Sequence, residues 1–113
     1  MIRRRFLSNN PEDLKLLTLA KATQARSNSI SAAALRDNTG RTYVAVPVKS
    51  GDFQIDSLLA VLVVAKASGI TGIEAIVIAG EVAPASSIAI VRKEDSAVKL
   101  FAVTDADDLA AIE

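Results

Sequence analysis

The sequence contains no cysteine, no histidine and no tryptophan, and aromatic residues make up only 4% of it. Without cysteine there is no disulfide, no thiolate nucleophile and no Cys-type zinc or iron–sulfur site. The disulfide argument for an oxidising compartment falls away with it. Without histidine the chain lacks the side chain that most readily titrates near neutral pH, which is also the commonest metal ligand. Any chemistry is left to carboxylates, lysines, hydroxyls, Tyr43 or the backbone. Long apolar runs are missing as well. The richest, Leu58 to Ala65, falls far short of the ~20 residues that a membrane-spanning helix needs. Arg3, Arg4 and Arg5 begin like the basic region of a secretory leader, but Ser8, Asn9, Asn10 and Pro11 interrupt before any apolar stretch forms. The reading is a soluble, cytoplasmic protein with no membrane partner.

What is present is a chain of 113 residues, half of them hydrophobic, with thirteen basic and thirteen acidic side chains. That length suits one domain able to bury its own core. Charge is uneven along it: residues 1–50 hold nine Lys/Arg against three Asp/Glu, and residues 51–113 hold four against ten. Such halves could associate head to tail or meet an acidic partner. Interleaving of the two halves in one domain removes the asymmetry in space, and that simpler reading is adopted.

Residues 1–9 read as a flexible basic arm and residues 10–113 as a single domain. Asn10 offers a capping oxygen, Pro11 fits the first helical position, and Glu12 and Asp13 suit the first turn, so a helix is expected from Pro11 to about Arg26. The run Ile30 to Leu35, the turn Asp37-Asn38-Thr39-Gly40 and the β-forming stretch Arg41 to Val48 predict an antiparallel hairpin. Pro47 belongs at a strand end or edge. Ser50-Gly51-Asp52 reads as a loop. A second helix is expected from Asp56 to Ser68, closed by Gly69. It is apolar nearly all round and should be buried on most sides. Ile73 to Ala79 predicts a buried strand. Ser86 to Arg92 is ambiguous, with propensity toward strand. Val98 to Val103 predicts a further strand, and Thr104 to Asp108 the start of a short acidic helix. This order implies an α/β fold, a mixed β-sheet with helices on its faces.

The same order, with particular residues, resembles the small cytidine deaminases. The resemblance rests on the Ser29–Leu35 run, the Gly40-x-x-Tyr43 turn and strand, Val46-x-Val48, the helix ending at Gly69, the strand Ile73 to Ile78, and Pro84 with its spacing to Val103. It covers about nine-tenths of the chain. It implies the three-layer α-β-α arrangement of that fold and makes Ser87 to Glu94 helical, against local propensity. The family's chemical motifs are where the chain departs. A Cys/His-Ala-Glu triplet, carrying one zinc ligand and the proton-shuttling Glu, matches Asp56-Ser57-Leu58. The Pro-Cys-Gly-x-Cys motif, carrying the other two ligands, matches Pro84-Ala85-Ser86-Ser87-Ile88. A catalytic zinc needs three protein ligands and an open position, so Asp56, Leu58, Ala85 and Ile88 imply no metal, no cofactor and no deamination. The Asn-x-Glu that holds the ribose matches Pro47-Val48-Lys49, and the pocket Phe matches Ser29. A vestigial pocket is therefore implied at Ser29, Pro47, Lys49 and Asp56.

Other groupings read as structural. Asp52 and Asp56 could form an acid–base or hard-metal pair, but loop polarity and an N-cap account for them. Asp105, Asp107 and Asp108 lack the Gly and later Glu of a calcium loop. Gly69-x-x-Gly72 follows a helix C-terminus, the wrong end for a phosphate. Lys49 could bind an anion or stand solvated. Arg3 to Arg5 could touch nucleic acid, without the aromatic interleaving that would support it. The expected function is a non-catalytic binding or scaffold module, assembled as a homo-oligomer (dimer or tetramer) through Leu59, Leu62 and Val63, with its small-molecule ligand unassigned. The alternatives are an RNA- or ribosome-linked accessory protein using the basic arm, and an enzyme of zinc-independent chemistry.

Overall fold

A computed structural model describes the backbone of residues 2–113 and the side chains from Leu7 onward. The chain runs β1 (Ile2–Ser8), α1 (Pro11–Ser27), β2 (Ser31–Asp37), β3 (Thr42–Ala45), β4 (Val48–Ser50), β5 (Phe53–Ile55), α2 (Ser57–Ala67), β6 (Ile73–Gly80), α3 (Ala85–Glu94), β7 (Lys99–Val103) and β8 (Leu109–Ile112). Six strands form one sheet in the order β1-β8-β7-β6-β2-β3, and β4 pairs with β5 in a separate hairpin. Among the described residues only β6 and β7, joined through α3, are parallel; the other pairs are antiparallel. The expected mixed α/β sheet with helices on both faces is the architecture found.

Side chains alternate along the central strands, as the two-residue period of a strand requires. Leu35, Ile76, Ile78, Leu100 and Ala102 join α2 and α3 in one core. Ala34, Ala75, Val77, Ala79 and Phe101 join Leu16, Leu17 and Ala20 of α1 in another. The α1 side of the sheet is rich in alanine, which lets that helix approach closely.

Local chemistry sets the element ends. Asn10 caps α1 by accepting the Glu12 N–H at 2.9 Å, and Pro11 takes the first helical position. The Asp37 carboxylate accepts the Thr39 N–H at 2.9 Å, the Thr39 hydroxyl at 2.8 Å and the Arg41 N–H at 2.9 Å, which closes the β2–β3 turn. Burial pushes the Asp37 pKa up, but these three donors outweigh it and hold the group below the ordinary carboxylate value.

Three expectations need correction. The stretch after Thr104 is not a helix. Thr104 to Asp108 is a turn, with Asp107 at φ 60° and the Thr104 N–H on the Asp108 carbonyl at 2.8 Å, and Leu109–Ile112 returns as β8 beside β7. Aspartates that suit a helix start also suit turns. The β-forming stretch to Val48 is broken at Val46-Pro47, and Val48 opens a second hairpin whose turn is Gly51-Asp52, with Gly51 at φ 57°. Finally, Ile2–Ser8, read as a loose arm, forms β1 along β8. It supplies hydrogen-bond partners to an otherwise open strand edge. The side chains of Arg3, Arg4 and Arg5 lie outside the described residues. Among the described residues no helix is long and apolar enough to cross a membrane.

Candidate functional site

Two helices begin beside each other on one face of the sheet, and one carboxylate serves both. Asp56 is extended at φ −75°, ψ 167°, and its Oδ1 accepts the Leu58 N–H at 3.0 Å and the Leu59 N–H at 3.1 Å. That is the N-cap geometry expected of an aspartate. α3 starts after Pro84 with no side-chain cap of its own. Its buried Ser87 donates its hydroxyl to Asp56 Oδ2 at 2.5 Å. The anion thus lies at the positive ends of two helix dipoles.

A cavity of about 210 Å³ opens in front of Asp56. Ser31 and Ser57, both buried, contribute hydroxyls to its lining, and Ser31 donates to Ser57 Oγ at 2.9 Å. Ile30, Pro47 and Pro84 add apolar walls, and Lys49, Gln54 and Glu81 stand exposed at its edge. Of the residues expected in a vestigial pocket, Pro47, Lys49 and Asp56 line this one cavity. Ser29 is not among its lining residues. Its carbonyl accepts from Gln24 Nε2 at 3.3 Å, and the neighbouring Ile30 faces the cavity instead.

The remaining expected positions carry no reactive group toward this space. Leu58 has no exposed surface and belongs to the core with Leu35 and Ile76. Ala85 is exposed at the start of α3, and Ile88 packs half-buried on the same core. The donor set does not fit the zinc that the family motif implies. Both oxygens of Asp56 already accept hydrogen bonds, and among the described residues no three His, Cys, Asp or Glu side chains gather to hold a metal ion.

The three expected interface residues divide. Leu62 is buried in the domain's own core, Leu59 is half-buried, and Val63 is 58% exposed. Val63 joins Val48, Phe53 and Val64 around an apolar groove of about 420 Å³ between α2, β3 and the β4–β5 hairpin. Phe53, 59% exposed, was not singled out from the sequence. The signal for it was the alternation of Val48, Phe53 and Ile55 about a Gly-containing turn, which marks a hairpin.

A family model described as "Cytidine deaminase-like" matches residues 9–108. Among solved structures, the chain is similar to the cytidine deaminase from Burkholderia pseudomallei, with a TM-score of 0.69 and 22% identity over 85% of this chain and 88% of that one. It is similar to the cytidine deaminase from Mycobacterium leprae, with a TM-score of 0.65 and 16% identity over 85% and 90%. A variant of the Mycobacterium tuberculosis enzyme gives a TM-score of 0.61 and 13% identity over 74% and 82%. No curated protein matches the chain by sequence.

Proposed function

The chain belongs to the cytidine deaminase-like family, and on that premise we propose that it is a non-catalytic member, a self-associating binding or scaffold module. One observation carries the reading. The position that should supply the proton shuttle is Leu58, fully buried in the core, and the positions that should supply two thiolates are Ala85 and Ile88. General acid–base catalysis contributes roughly 10²–10⁴ in rate, and a metal-activated hydroxide supplies the nucleophile in zinc deaminases. Neither has a residue to provide it here.

Self-association is supported by the groove beside α2. Val48, Phe53, Val63 and Val64 are each more than 40% exposed and line one groove, and exposed apolar side chains gathered in one place favour an interaction surface over chance exposure. A symmetric assembly of like chains is the usual way such a face is covered.

The test combines two measurements on the purified full chain. Metal analysis without chelators is expected to find no stoichiometric zinc. An ultraviolet assay with cytidine and deoxycytidine at high protein concentration is expected to match a boiled control. One tightly held zinc per chain, or turnover above the control, overturns the reading.

A further inference from the structure

The resemblance places the family's metal ligands at the starts of what are here α2 and α3, so in that family the zinc also ties the two helices together. This chain still has to hold them, and among the described residues no metal-ligand set gathers to do so. We propose that the Asp56–Ser87 hydrogen bond is a metal-free clasp that takes over this mechanical task. The inference rests on the non-catalytic reading above.

The geometry is that of a connector. Ser87 is buried, and its hydroxyl reaches Asp56 Oδ2 at 2.5 Å across 31 residues of sequence. The other oxygen, Oδ1, holds two N–H groups of the first turn of α2. One carboxylate therefore makes three hydrogen bonds in two helices, and bonds to an ionised acceptor are about twice as strong as neutral ones. The clasp also answers an electrostatic need. Asp56 Oδ1 lies on the first-turn N–H groups of α2 and Oδ2 on Ser87 in the first turn of α3, so one carboxylate faces the N-terminal turns of both helices, where negative charge is favoured. α3 has no side-chain cap of its own, so Ser87 is its polar tie to α2 at this end. At the other end the exposed Lys66–Glu94 pair joins the two helices.

A double-mutant cycle tests this, read by thermal unfolding of the full chain in EDTA and in excess zinc. Ser87→Ala and Asp56→Ala are each expected to lower Tm by roughly 4–8 °C. The double variant should lose little more than the larger single effect, because the second substitution removes a partner already lost. Asp56→Ser, which keeps a capping oxygen on a shorter side chain, replaces Asp56→Ala in the cycle if the alanine variant does not fold. Wild-type Tm should be the same in EDTA and in zinc. Additive losses, or a Ser87→Ala variant as stable as wild type, overturn the clasp while leaving the non-catalytic reading intact. A wild-type Tm raised by zinc overturns the clasp, and one zinc per chain by metal analysis overturns the non-catalytic reading as well.

Discussion

Arg36 on β2 and Asp13 in the first turn of α1 pair at 2.9 Å, with side chains only 6% and 1% exposed. The same guanidinium meets Glu74 at 2.5 Å and donates to the Glu12 carbonyl at 2.9 Å. Burial acts to lower the Arg36 pKa, but its bonds to Asp13 and Glu74 overcome this and leave it raised. Removing one partner of a buried pair strands the other charge, which costs about 3–5 kcal/mol. Asp13→Ala is expected at the low end, about 3 kcal/mol, because Glu74 still neutralises Arg36. Glu74 is half-exposed, so Glu74→Ala should cost about 1 kcal/mol or less. Urea unfolding of both variants checks the order. Equal losses would show that solvent reaches the Arg36–Asp13 pair.

Asp37 and Asp95 give the acid limb of stability. Asp95 accepts the Ile73 and Ala97 N–H groups, both at 3.0 Å, and these bonds set its pKa below the ordinary value despite an opposing effect of burial. Asp37 is lowered as well. A carboxylate with a depressed folded pKa contributes stability that is fully present above its unfolded pKa, near 3.9. That contribution fades as pH falls through the folded value. Tm should therefore hold on the neutral side of about pH 4 and drop below it. Asp37→Asn should lie below wild type at neutral pH and converge with it in acid. A constant gap from pH 7 to pH 2 would rule out this linkage.

Glycine matters at Gly80 for a reason that does not apply at Gly40. Both have positive φ, 83° and 90°. A Cβ on Gly40 would meet nothing within 4 Å, whereas one on Gly80 would run into the Ile30 carbonyl oxygen and Gln24 Nε2. Gly40→Ala should cost only the left-handed penalty of about 1–2 kcal/mol. Gly80→Ala must also displace backbone that accepts the Glu81 N–H at 2.9 Å, and about 3 kcal/mol or more is expected. Chemical denaturation of the two variants decides the order.

What could be read from the sequence was what local chemistry determines. Asn10-Pro11, Asp37 to Gly40, Asp56 and Gly69 each carry their own cap or turn signal, so α1, the β2–β3 hairpin and α2 lie where the residues place them. Where two distant segments decide, local reading failed. β1 exists through pairing with β8, about a hundred positions away. Ser86 to Arg92 has strand-forming Ile and Val, yet it is helical; only the resemblance pointed to that. Its ties are tertiary: Ser87 to Asp56, and Arg92 Nη2 to the Ile112 carbonyl at 2.6 Å. The candidate site divides the same way. Asp56 was legible as a cap, but its second partner was not, because nothing near Asp56 in the sequence announces a serine 31 residues on.

The α2 face yields the last prediction. A helix apolar on nearly every side was expected to be covered on most of them. The sheet and α3 cover Leu58, Val61, Leu62 and Ala65, but leave Val63 58% and Val64 42% exposed, beside Phe53 at 59%. A stable interface buries at least about 1,000 Å² in total, and the hairpin together with this helix face supplies a continuous apolar centre for one. The full chain at tens of micromolar is therefore expected to run as a dimer or tetramer by light scattering coupled to size-exclusion chromatography. Val63→Lys should shift it to monomer mass while leaving the far-ultraviolet circular dichroism unchanged, because that side chain touches solvent and not the core. Leu62→Lys should instead unfold the chain, since Leu62 is 6% exposed and sits among Leu35, Ile73 and Ile76. The contrast between adjacent positions separates an interface from a core. A wild-type monomer at that concentration, or a Val63→Lys variant that keeps the assembled mass, would show that this face is not where copies meet.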